Sequence, residues 1–287
     1  MRGIIMKGIG GFYYVKAADG AIYECKARGI FRKERIKPMI GDRVEIELES
    51  GKGSIAAIEA RRNTLVRPPV ANIDTLLLVA ATAAPAPNLR LLDKMLVAAE
   101  VNHIAPAVCI NKTDIEPGAA LRGIYETTGY PVVEVSAKAQ SGMDVLLPLL
   151  KGKTTAFAGL SGVGKSSILN LLTGNRLETG AVSEKIQRGR HTTRHVELFE
   201  LDCGGFVLDT PGFSSFELEH IRAQELAAYF PELSDCEGLC RFKGCSHVHE
   251  PDCAVKGKLA RGGIAESRYE SYVELYKQLQ LMKEWEK

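Results

Sequence analysis

The sequence lacks a hydrophobic run long enough to cross a bilayer. Its longest apolar stretch lies around Leu76 to Ala86 and ends among prolines, well short of the roughly 20 residues that a membrane helix needs. We interpret it as a buried strand. The N-terminal segment also lacks the apolar core of a signal peptide. We therefore expect a cytoplasmic protein that has no membrane partner.

An excess of one charge sign is also missing. The 37 Lys and Arg residues are nearly balanced by 35 Asp and Glu, which leaves a formal net charge of +2. This balance does not by itself predict nucleic-acid binding, so local clusters of charge matter more than the sum.

The seven cysteines do not suit a disulfide scaffold. Cys25, Cys109 and Cys203 are scattered through apolar or strand-like contexts, and we interpret them as reduced, small core residues. The other four cysteines crowd into one short stretch near the C-terminus and need a separate explanation.

The pattern of apolar residues divides the chain into three parts. The first contains short strands broken by turn signals such as Asp19-Gly20, which predicts a small closed β-barrel. From Ile73 strands and helices alternate, as in a mostly parallel sheet covered by helices. After about Phe216 the pattern becomes helical. The predicted domains are residues 1–63, 64–218 and 219–287.

A glycine-rich loop follows one predicted strand and opens a helix. It fits the Gly-x-x-x-x-Gly-Lys-Ser pattern, in which backbone N–H groups and the positive end of the helix hold nucleotide phosphates. Lys165 would reach the β- and γ-phosphates, and the Ser166 hydroxyl would bind Mg²⁺. The loop alone does not identify the base. The predicted phosphate-binding residues are Gly159, Leu160, Ser161, Gly162, Val163, Gly164, Lys165, Ser166 and Ser167.

Two short motifs, Asn-Lys-Thr-Asp and Ser-Ala-Lys, each end a predicted strand and together indicate guanine. The Asp114 carboxylate can accept hydrogen bonds from N1–H and the exocyclic amine of guanine, whereas adenine presents a lone pair there. The Lys112 stem can lie over the base, Asn111 can tie this loop to the phosphate loop, and the Ala137 N–H can bond guanine O6. The predicted base-binding residues are Asn111, Lys112, Asp114, Ser136, Ala137 and Lys138.

A further motif, Asp-Thr-Pro-Gly, ends another predicted strand. Asp209 would hold Mg²⁺ through water, and the Gly212 N–H would bond the γ-phosphate. GTPases place a threonine between the phosphate loop and this motif to complete the Mg²⁺ shell. Thr192 and Thr193 both fit that description, and we assign Thr193, together with Ser166 and Asp209, to magnesium.

These motifs run in an unusual order. Most GTPases place the phosphate loop first, but here both guanine motifs precede it. Because domain termini often lie close together, old ends can be joined and a new break opened elsewhere. We therefore predict an α/β P-loop GTPase domain with a circularly permuted motif order. The new break follows Asp-Thr-Pro-Gly and connects the γ-phosphate sensor directly to the C-terminal domain.

The crowded cysteines lie beside histidines in a pattern that suits a metal. Cys240, Cys245, His247 and Cys253 would form a closed tetrahedral Zn²⁺ site with a structural role, because four protein ligands leave no position for water. Cys236 and His249 are the alternative ligands. The competing interpretation is a cluster of free or redox-active thiols.

The permuted motifs, the small barrel before them and the Cys240/Cys245/His247/Cys253 knuckle after them resemble the ribosome small subunit-dependent GTPase A family. The resemblance covers essentially the whole chain. It implies an OB-fold barrel, a permuted GTPase domain and a zinc domain. It also implies contacts with rRNA, late maturation of the small ribosomal subunit, and GTP hydrolysis that this subunit stimulates. We expect a monomer that binds GTP and GDP, with other assembly factors as further partners.

One basic stretch of the barrel is compatible with RNA. A positive groove with aromatic platforms is how OB-folds bind single strands, although a solvated loop over an aromatic core would show the same composition. The residues concerned are Arg28, Arg32, Lys33, Arg35 and Lys37, with Tyr13, Tyr14, Tyr23 and Phe31. Further basic residues are either phosphate contacts or solvated surface: Arg61, Arg62, Lys256, Lys258 and Arg261.

The hydrolytic machinery has a gap. Many GTPases place a glutamine just after Asp-x-x-Gly to orient the attacking water, but this sequence has Phe213. We therefore predict slow hydrolysis by the protein alone. Lys165 and Thr193 are the catalytic residues expected from the motifs, and His191 is our hypothesis for the water-orienting group. The ribosome in trans and an ordinary surface role for His191 are the alternatives.

Two other functional classes compete with a GTPase checkpoint in subunit assembly. In one, the protein is an rRNA-binding module in which GTP only sets affinity. In the other, it serves tRNA modification or translation, for which the sequence offers no identifiable residues.

Overall fold

The computed structural model describes residues 1–49, 52–65, 68–174, 196–209, 218 and 221–284. The chain divides into two compact units. One unit comprises Met1–Thr75, Leu147–Phe157 and Lys165–Gly212, and the other comprises Leu76–Leu146, Ala158–Gly164 and Phe213–Lys287. Within the described ranges, no helix is both long enough and apolar enough to span a membrane.

The N-terminal part is a closed five-stranded barrel of OB-like form, which confirms the predicted barrel. Its strands have the order β1-β2-β3-β5-β4, with β3 and β5 parallel and the other pairs antiparallel. In β1, glycines at positions 3 and 8 interrupt the alternation of apolar and polar residues. The strands are β1 (Arg2–Ile9), β2 (Phe12–Ala17), β3 (Ile22–Ala27), β4 (Arg43–Glu49) and β5 (Lys52–Ile58), with helix α1 (Gly29–Lys33) between β3 and β4.

Alternate side chains of the barrel strands point inward and form its core. This core consists of apolar side chains that fill the barrel. Its members include Ile5, Val15, Cys25, Val44, Ile46 and Ile55. A two-stranded antiparallel sheet follows the barrel, formed by β6 (Thr64–Leu65) and β7 (Val70–Ala71).

The predicted α/β pattern is confirmed as a six-stranded sheet with the order β10-β9-β8-β11-β13-β12. The pairs β9–β10 and β11–β13 are parallel, and the short edge strand β12 is antiparallel. Every residue of β8 is buried, as predicted from its continuous apolar run. The strands are β8 (Thr75–Ala81), β9 (Ala105–Asn111), β10 (Val132–Glu134), β11 (Thr154–Ala158), β12 (Phe199–Glu200) and β13 (Phe206–Asp209).

Helices follow the strands at the positions that the 3.6-residue periodicity predicts. Asn88 caps the first of them, because its side chain accepts a hydrogen bond from the Leu91 backbone N–H at 3.1 Å. These helices are α2 (Leu89–Val101), α3 (Ala119–Glu126), α4 (Met143–Leu150) and α5 (Lys165–Leu172).

The C-terminal part is mostly helical, as predicted. Its apolar residues pack with those of α2 in one core, in which the rings of Phe230 and Tyr272 meet edge to face at 5.4 Å. The first helical element of this part, Ala223–Tyr229, is a 3-10 helix. The elements are this 3-10 helix (Ala223–Tyr229), α6 (Pro231–Ser234), α7 (Ala254–Ala260) and α8 (Glu266–Glu284).

The prediction for the three scattered cysteines is partly wrong. Cys25 and Cys109 are completely buried and free, as expected of small core residues. Cys203 is only partly buried, because it lies in the turn between β12 and β13. Its strand-like surroundings in the sequence hid that turn.

A buried ion network joins three helices of the second unit. Arg268 of α8 donates to Asp93 of α2 at 2.8 Å and to both oxygens of Glu232 of α6 at 2.8 and 3.3 Å. The side chains of these residues are fully buried. Tyr125 of α3 also donates to Asp93, at 3.2 Å. Burial raises the pKa of Asp93 and Arg268 opposes this, so the guanidinium favours the charged form of the carboxylate.

Replacing Arg268 with methionine should destabilise the second unit by about 3–5 kcal/mol, because two buried carboxylates lose the cation that pairs with both. Urea unfolding followed by fluorescence measures the change. The matched control is Arg90→Met, which breaks the exposed Arg90–Glu274 pair between the same two helices, α2 and α8. That change should cost less than about 1 kcal/mol. Equal losses in both variants would contradict a stabilising role of the buried network.

Candidate nucleotide and metal sites

The first predicted guanine motif begins where β9 ends. Asn111 is buried, and its side chain makes two hydrogen bonds of opposite direction. Its Nδ2 donates to the carbonyl oxygen of Val163 in the phosphate loop at 2.8 Å, and its Oδ1 accepts from the Ala137 N–H at 3.1 Å. One asparagine therefore ties the phosphate loop to both guanine motifs. The contact with the phosphate loop was predicted from the sequence.

The predicted base-recognising carboxylate is held in place by the second motif. The Ser136 hydroxyl donates to Asp114 Oδ1 at 2.6 Å and also accepts from the Ala139 N–H at 3.0 Å. Asp114 itself is exposed. A positioned, exposed carboxylate beside a turn with backbone N–H groups offers acceptors for the N1–H and amine of guanine and donors for its O6.

Lys112 of the first motif is held by contacts with the segment that follows β8. Lys112 adopts a left-handed φ of 68°, and its carbonyl oxygen accepts from the Thr82 hydroxyl at 2.9 Å. Its ammonium group donates to the carbonyl oxygen of Ala84. The lysine stem is thereby directed along the loop that follows β8.

The phosphate loop follows β11 and leads into α5. Gly159, Gly162 and Gly164 have φ values of 139°, 82° and 99°, in the region that favours glycine. A Cβ on Gly164 would lie 2.2 Å from Asn111 Nδ2, and one on Gly159 would lie 2.2 Å from the carbonyl oxygen of Val79. These glycines therefore allow both the loop conformation and its close approach to β8 and β9.

Lys165 begins α5, and Asp209 ends β13 in the same unit. Burial lowers the pKa of Lys165, and attraction to the Asp209 carboxylate opposes that shift. The predicted phosphate-binding lysine and the predicted magnesium-binding carboxylate therefore lie within each other's electrostatic field. This is the juxtaposition that a Mg²⁺–phosphate site requires.

Several predicted residues lie outside the described residues. They are His191, Thr192, Thr193, Gly212 and Phe213.

The structure brings the four predicted metal ligands together. Cys240 Sγ lies 3.6 Å from His247 Nδ1 and 3.9 Å from Cys253 Sγ, and His247 Nδ1 lies 3.4 Å from Cys253 Sγ. All four donor atoms, including that of Cys245, lie within 4.8 Å of one another. The described residues form no other such cluster, and the alternative ligands Cys236 and His249 are not part of this one. The cluster could hold a metal ion.

Residues that the sequence did not single out support this cluster. Tyr269 and Tyr272 of α8 donate to the carbonyl oxygens of His247 and Ser246, each at 2.7 Å. Glu250 accepts from the Ser246 N–H and hydroxyl, both at 2.8 Å. Burial raises the pKa of Glu250, but these hydrogen bonds outweigh it and lower the pKa to about 2. No local pattern could have revealed the tyrosines, because they lie more than 20 residues from the groups they bind.

The basic stretch of the barrel lines an open cavity of about 720 Å³. Of the five predicted basic residues, Lys33 does not line the cavity. The other four do: Arg28, Arg32, Arg35 and Lys37. Tyr13 lines the cavity and is half-buried, and Lys26 lies over the Phe12 ring at 4.7 Å. Phe31 is buried in the barrel core and is not a stacking platform. For this residue the alternative of an aromatic core under a solvated loop is therefore correct.

Most of the other basic residues named as phosphate contacts bind carboxylates or carbonyls of the chain. Arg61 makes a two-pronged contact with the buried Asp42 at 2.7 and 2.8 Å, and Arg62 pairs with Asp74. Lys258 pairs with Asp235, and Lys256 donates to the Glu250 carbonyl oxygen. The structural role therefore accounts for these four side chains.

Fold and site together define a circularly permuted P-loop GTPase. Two family models match the chain: RsgA GTPase over residues 58–219 and RsgA N-terminal domain over residues 2–55. The chain belongs to the RsgA GTPase family and is an enzyme that hydrolyses GTP.

Its relatives are similar over nearly their whole length. A protein of Caldanaerobacter subterraneus subsp. tengcongensis is 49% identical, covering 97% of this chain and 96% of the relative, and one of Agathobacter rectalis is 45% identical, covering 97% and 98%. Both are named small ribosomal subunit biogenesis GTPase RsgA.

Two solved structures are also similar. YjeQ from Thermotoga maritima is 39% identical with a TM-score of 0.82, covering 97% of this chain and 98% of that one. YloQ, described as a circularly permuted GTPase, is 38% identical with a TM-score of 0.82, covering 97% and 94%.

Proposed function

We propose that this GTPase acts in late maturation of the small ribosomal subunit, where it binds rRNA and leaves when GTP is hydrolysed. The observation that carries this proposal is its full-length similarity to proteins named for biogenesis of that subunit. The partners are then the small subunit, its rRNA, GTP and GDP, together with other assembly factors. We further propose that the protein is a cytoplasmic monomer that works as three domains, 1–63, 64–218 and 219–287.

In the proposed nucleotide site, Asp114 binds the guanine edge and the Ala137 N–H binds O6. The hydrogen bonds that Asn111 makes to Val163 and Ala137 support this assignment, because they hold base-binding and phosphate-binding segments in one arrangement. The remaining proposed GTP contacts are made by Lys112, Ser136, Lys138, Gly159, Leu160, Ser161, Gly162, Val163, Gly164, Lys165, Ser166, Ser167 and Gly212.

Mg²⁺ bound with GTP would be held by Ser166, Thr193 and Asp209. The attraction between Lys165 and Asp209 supports this set, because the metal and the lysine would neutralise the same phosphate oxygens. When bound, Mg²⁺ supplies charge stabilisation for phosphoryl transfer. Lys165 would bind the β- and γ-phosphates, and Asp209 would hold the metal through water.

The proposed metal of the C-terminal cluster is one structural Zn²⁺. Bonds of about 2.3 Å to sulfur and about 2.0–2.1 Å to nitrogen set tetrahedral ligand atoms roughly 3.6–3.8 Å apart. The separations of 3.4–3.9 Å among the donor atoms of Cys240, His247 and Cys253 fit that geometry, and all four donor atoms lie within 4.8 Å of one another. Three cysteines and one histidine leave no open position, so the metal would stabilise the fold and take no part in hydrolysis.

The basic cavity of the barrel is the proposed rRNA face. Exposed Arg28, Arg32, Arg35 and Lys37 line this cavity together with the half-buried Tyr13, which combines phosphate-binding charge with an aromatic ring for base stacking. Such contacts strengthen binding without reading sequence.

His191 is the proposed water-orienting residue, because Phe213 occupies the position of the usual glutamine. Single-turnover hydrolysis of His191→Ala in the presence of small subunits tests this role. The rate should fall by about 100-fold, in the range of general acid–base contributions. An unchanged rate with unchanged GTP affinity would remove His191 from the mechanism.

The Lys165→Ala variant tests release upon hydrolysis. It should lose hydrolysis, since the lysine contacts the transferred phosphate, and should remain on small subunits after excess GTP is added. Co-sedimentation with purified subunits, in GTP and in GDP, measures retention. Release of Lys165→Ala at the wild-type rate would support the alternative in which GTP only sets affinity. Glu116→Gln, which changes an exposed residue outside the proposed contacts, is the control for handling losses.

A further inference from the structure

The segment that leads into β12 binds to the edge of barrel strand β1. Glu197 pairs with Lys7 in an antiparallel bridge, and the Leu198 N–H donates to the Met6 carbonyl oxygen at 2.9 Å. Leu198 is buried. The barrel strand therefore has a hydrogen-bonded neighbour that comes from the GTPase part of the chain, within the same compact unit.

The barrel strand has a feature that favours this neighbour. The β1–β2 register shifts between Ile5 and Lys7, so Met6 is a bulged residue. Bulges break the ladder locally and redirect the strand. Pairing of β1 with β4 covers Arg2, Gly3 and Ile4 and ends before the bulge. Residues 197–198 therefore cover the Met6–Lys7 edge beyond the end of that pairing.

Two ion pairs flank this backbone contact. Lys7 Nζ lies 3.0 Å from Glu197, and Lys16 of β2 pairs with Glu200 of β12. The four side chains are between 21% and 44% exposed. Both barrel residues are basic and both partners are acidic, so the two pairs specify one register between the barrel and this segment.

The same segment continues to the proposed magnesium residue. In the β12–β13 ladder Phe199 pairs with Val207 and Glu200 pairs with Phe206. Strand β13 ends at Asp209. Residues 197–200 therefore link barrel strand β1 to strand β13, which ends at Asp209, through two successive backbone pairings.

We propose that Lys7–Glu197 and Lys16–Glu200 are positioning contacts that couple docking of the barrel to the Mg²⁺-binding end of β13. The inference rests on the proposed function, because the ligand that loads the barrel is the rRNA of the small subunit. Docking at the barrel shifts β1, and the two ion pairs carry that shift to β12 and β13. None of these four residues belongs to the proposed nucleotide contacts.

Charge reversal and charge exchange test the coupling. Lys7→Glu and Glu197→Lys should each leave basal GTP turnover unchanged and reduce the stimulation by small subunits by about fivefold or more. The double variant Lys7→Glu/Glu197→Lys should recover stimulation to within about twofold of wild type. The matched control is Arg2→Glu, which makes the same charge change on β1 at an exposed residue that pairs with Glu45 and Glu59 of the barrel.

A loss in Lys7→Glu no larger than that in Arg2→Glu would overturn the inference, as would failure of the double variant to recover. A second measurement needs no ribosome. Amide hydrogen exchange of residues 206–209 should speed up in each single reversal and return to the wild-type rate in the double variant. If small subunits fail to stimulate the wild type, the proposed function fails, and the exchange data still decide the coupling. Unchanged exchange in both single reversals would exclude it.

Discussion

Replacing Asp114 with asparagine should weaken GTP binding between about 100-fold and about 10,000-fold, because two charge-assisted hydrogen bonds of about 1.5–3 kcal/mol each are lost or reversed. Guanine presents N1–H and an amine to this position, and the amide of the introduced asparagine would meet the amine with its own donor. Titration with a fluorescent guanine nucleotide measures the affinity. Glu116→Gln, which removes a nearby exposed carboxylate, is the control and should bind normally.

A change of nucleotide separates loss of recognition from loss of structure. Xanthine carries a carbonyl oxygen where guanine carries its amine, so the side-chain amide of the Asp114→Asn variant can donate to it. This variant should therefore prefer xanthosine triphosphate and hydrolyse it. Equal weakness toward both nucleotides would indicate that the substitution disturbed the loop held by Ser136, and would count against direct recognition of the base.

Removing the metal should unfold the C-terminal helical part while leaving the barrel folded. Structural Zn²⁺ contributes about 10 kcal/mol or more in zinc-finger peptides, and here the ligand loop also holds α8 through Tyr269 and Tyr272. Cys245→Ser should lower the bound zinc from one ion to none. Metal analysis of the purified protein, together with hydrogen exchange in α8, measures both effects.

The control for this experiment is Cys236→Ser. Cys236 is buried and lies near the cluster in sequence but outside the four ligands. It should keep one bound zinc ion, although the loss of an apolar contact in the core lowers stability. Retention of zinc by Cys245→Ser and its loss from Cys236→Ser would show that the ligand set is wrong.

The proposed nucleotide contacts could be predicted from the sequence because they lie in local motifs. A glycine loop between a strand and a helix, and polar motifs at strand ends, have their chemistry written in consecutive residues. The metal ligands were predicted for the same reason, since all four lie between positions 240 and 253. In each case the structure adds contacts that the local motif did not predict, such as the hydrogen bond from the Ala137 N–H to Asn111.

Long-range features could not be predicted in this way. Arg268 gives no sign of burial in a charged terminal helix, and its partner Asp93 lies 175 residues earlier. Strand β1 has a weak sequence pattern because its glycines interrupt the alternation. Gly3 is needed there, because a Cβ would lie 2.6 Å from the Lys16 carbonyl oxygen. Arg61 was indistinguishable from a phosphate-binding residue until its contact with buried Asp42 was seen.

The most direct test of the account is GTP turnover by the purified protein with and without small ribosomal subunits, at several salt concentrations. We predict slow GTP turnover by the protein without small subunits and a large increase with them at low salt. That increase should fall steeply as salt rises, because the proposed rRNA face of the barrel would contact phosphates. Turnover that small subunits leave unchanged at every salt concentration would contradict it.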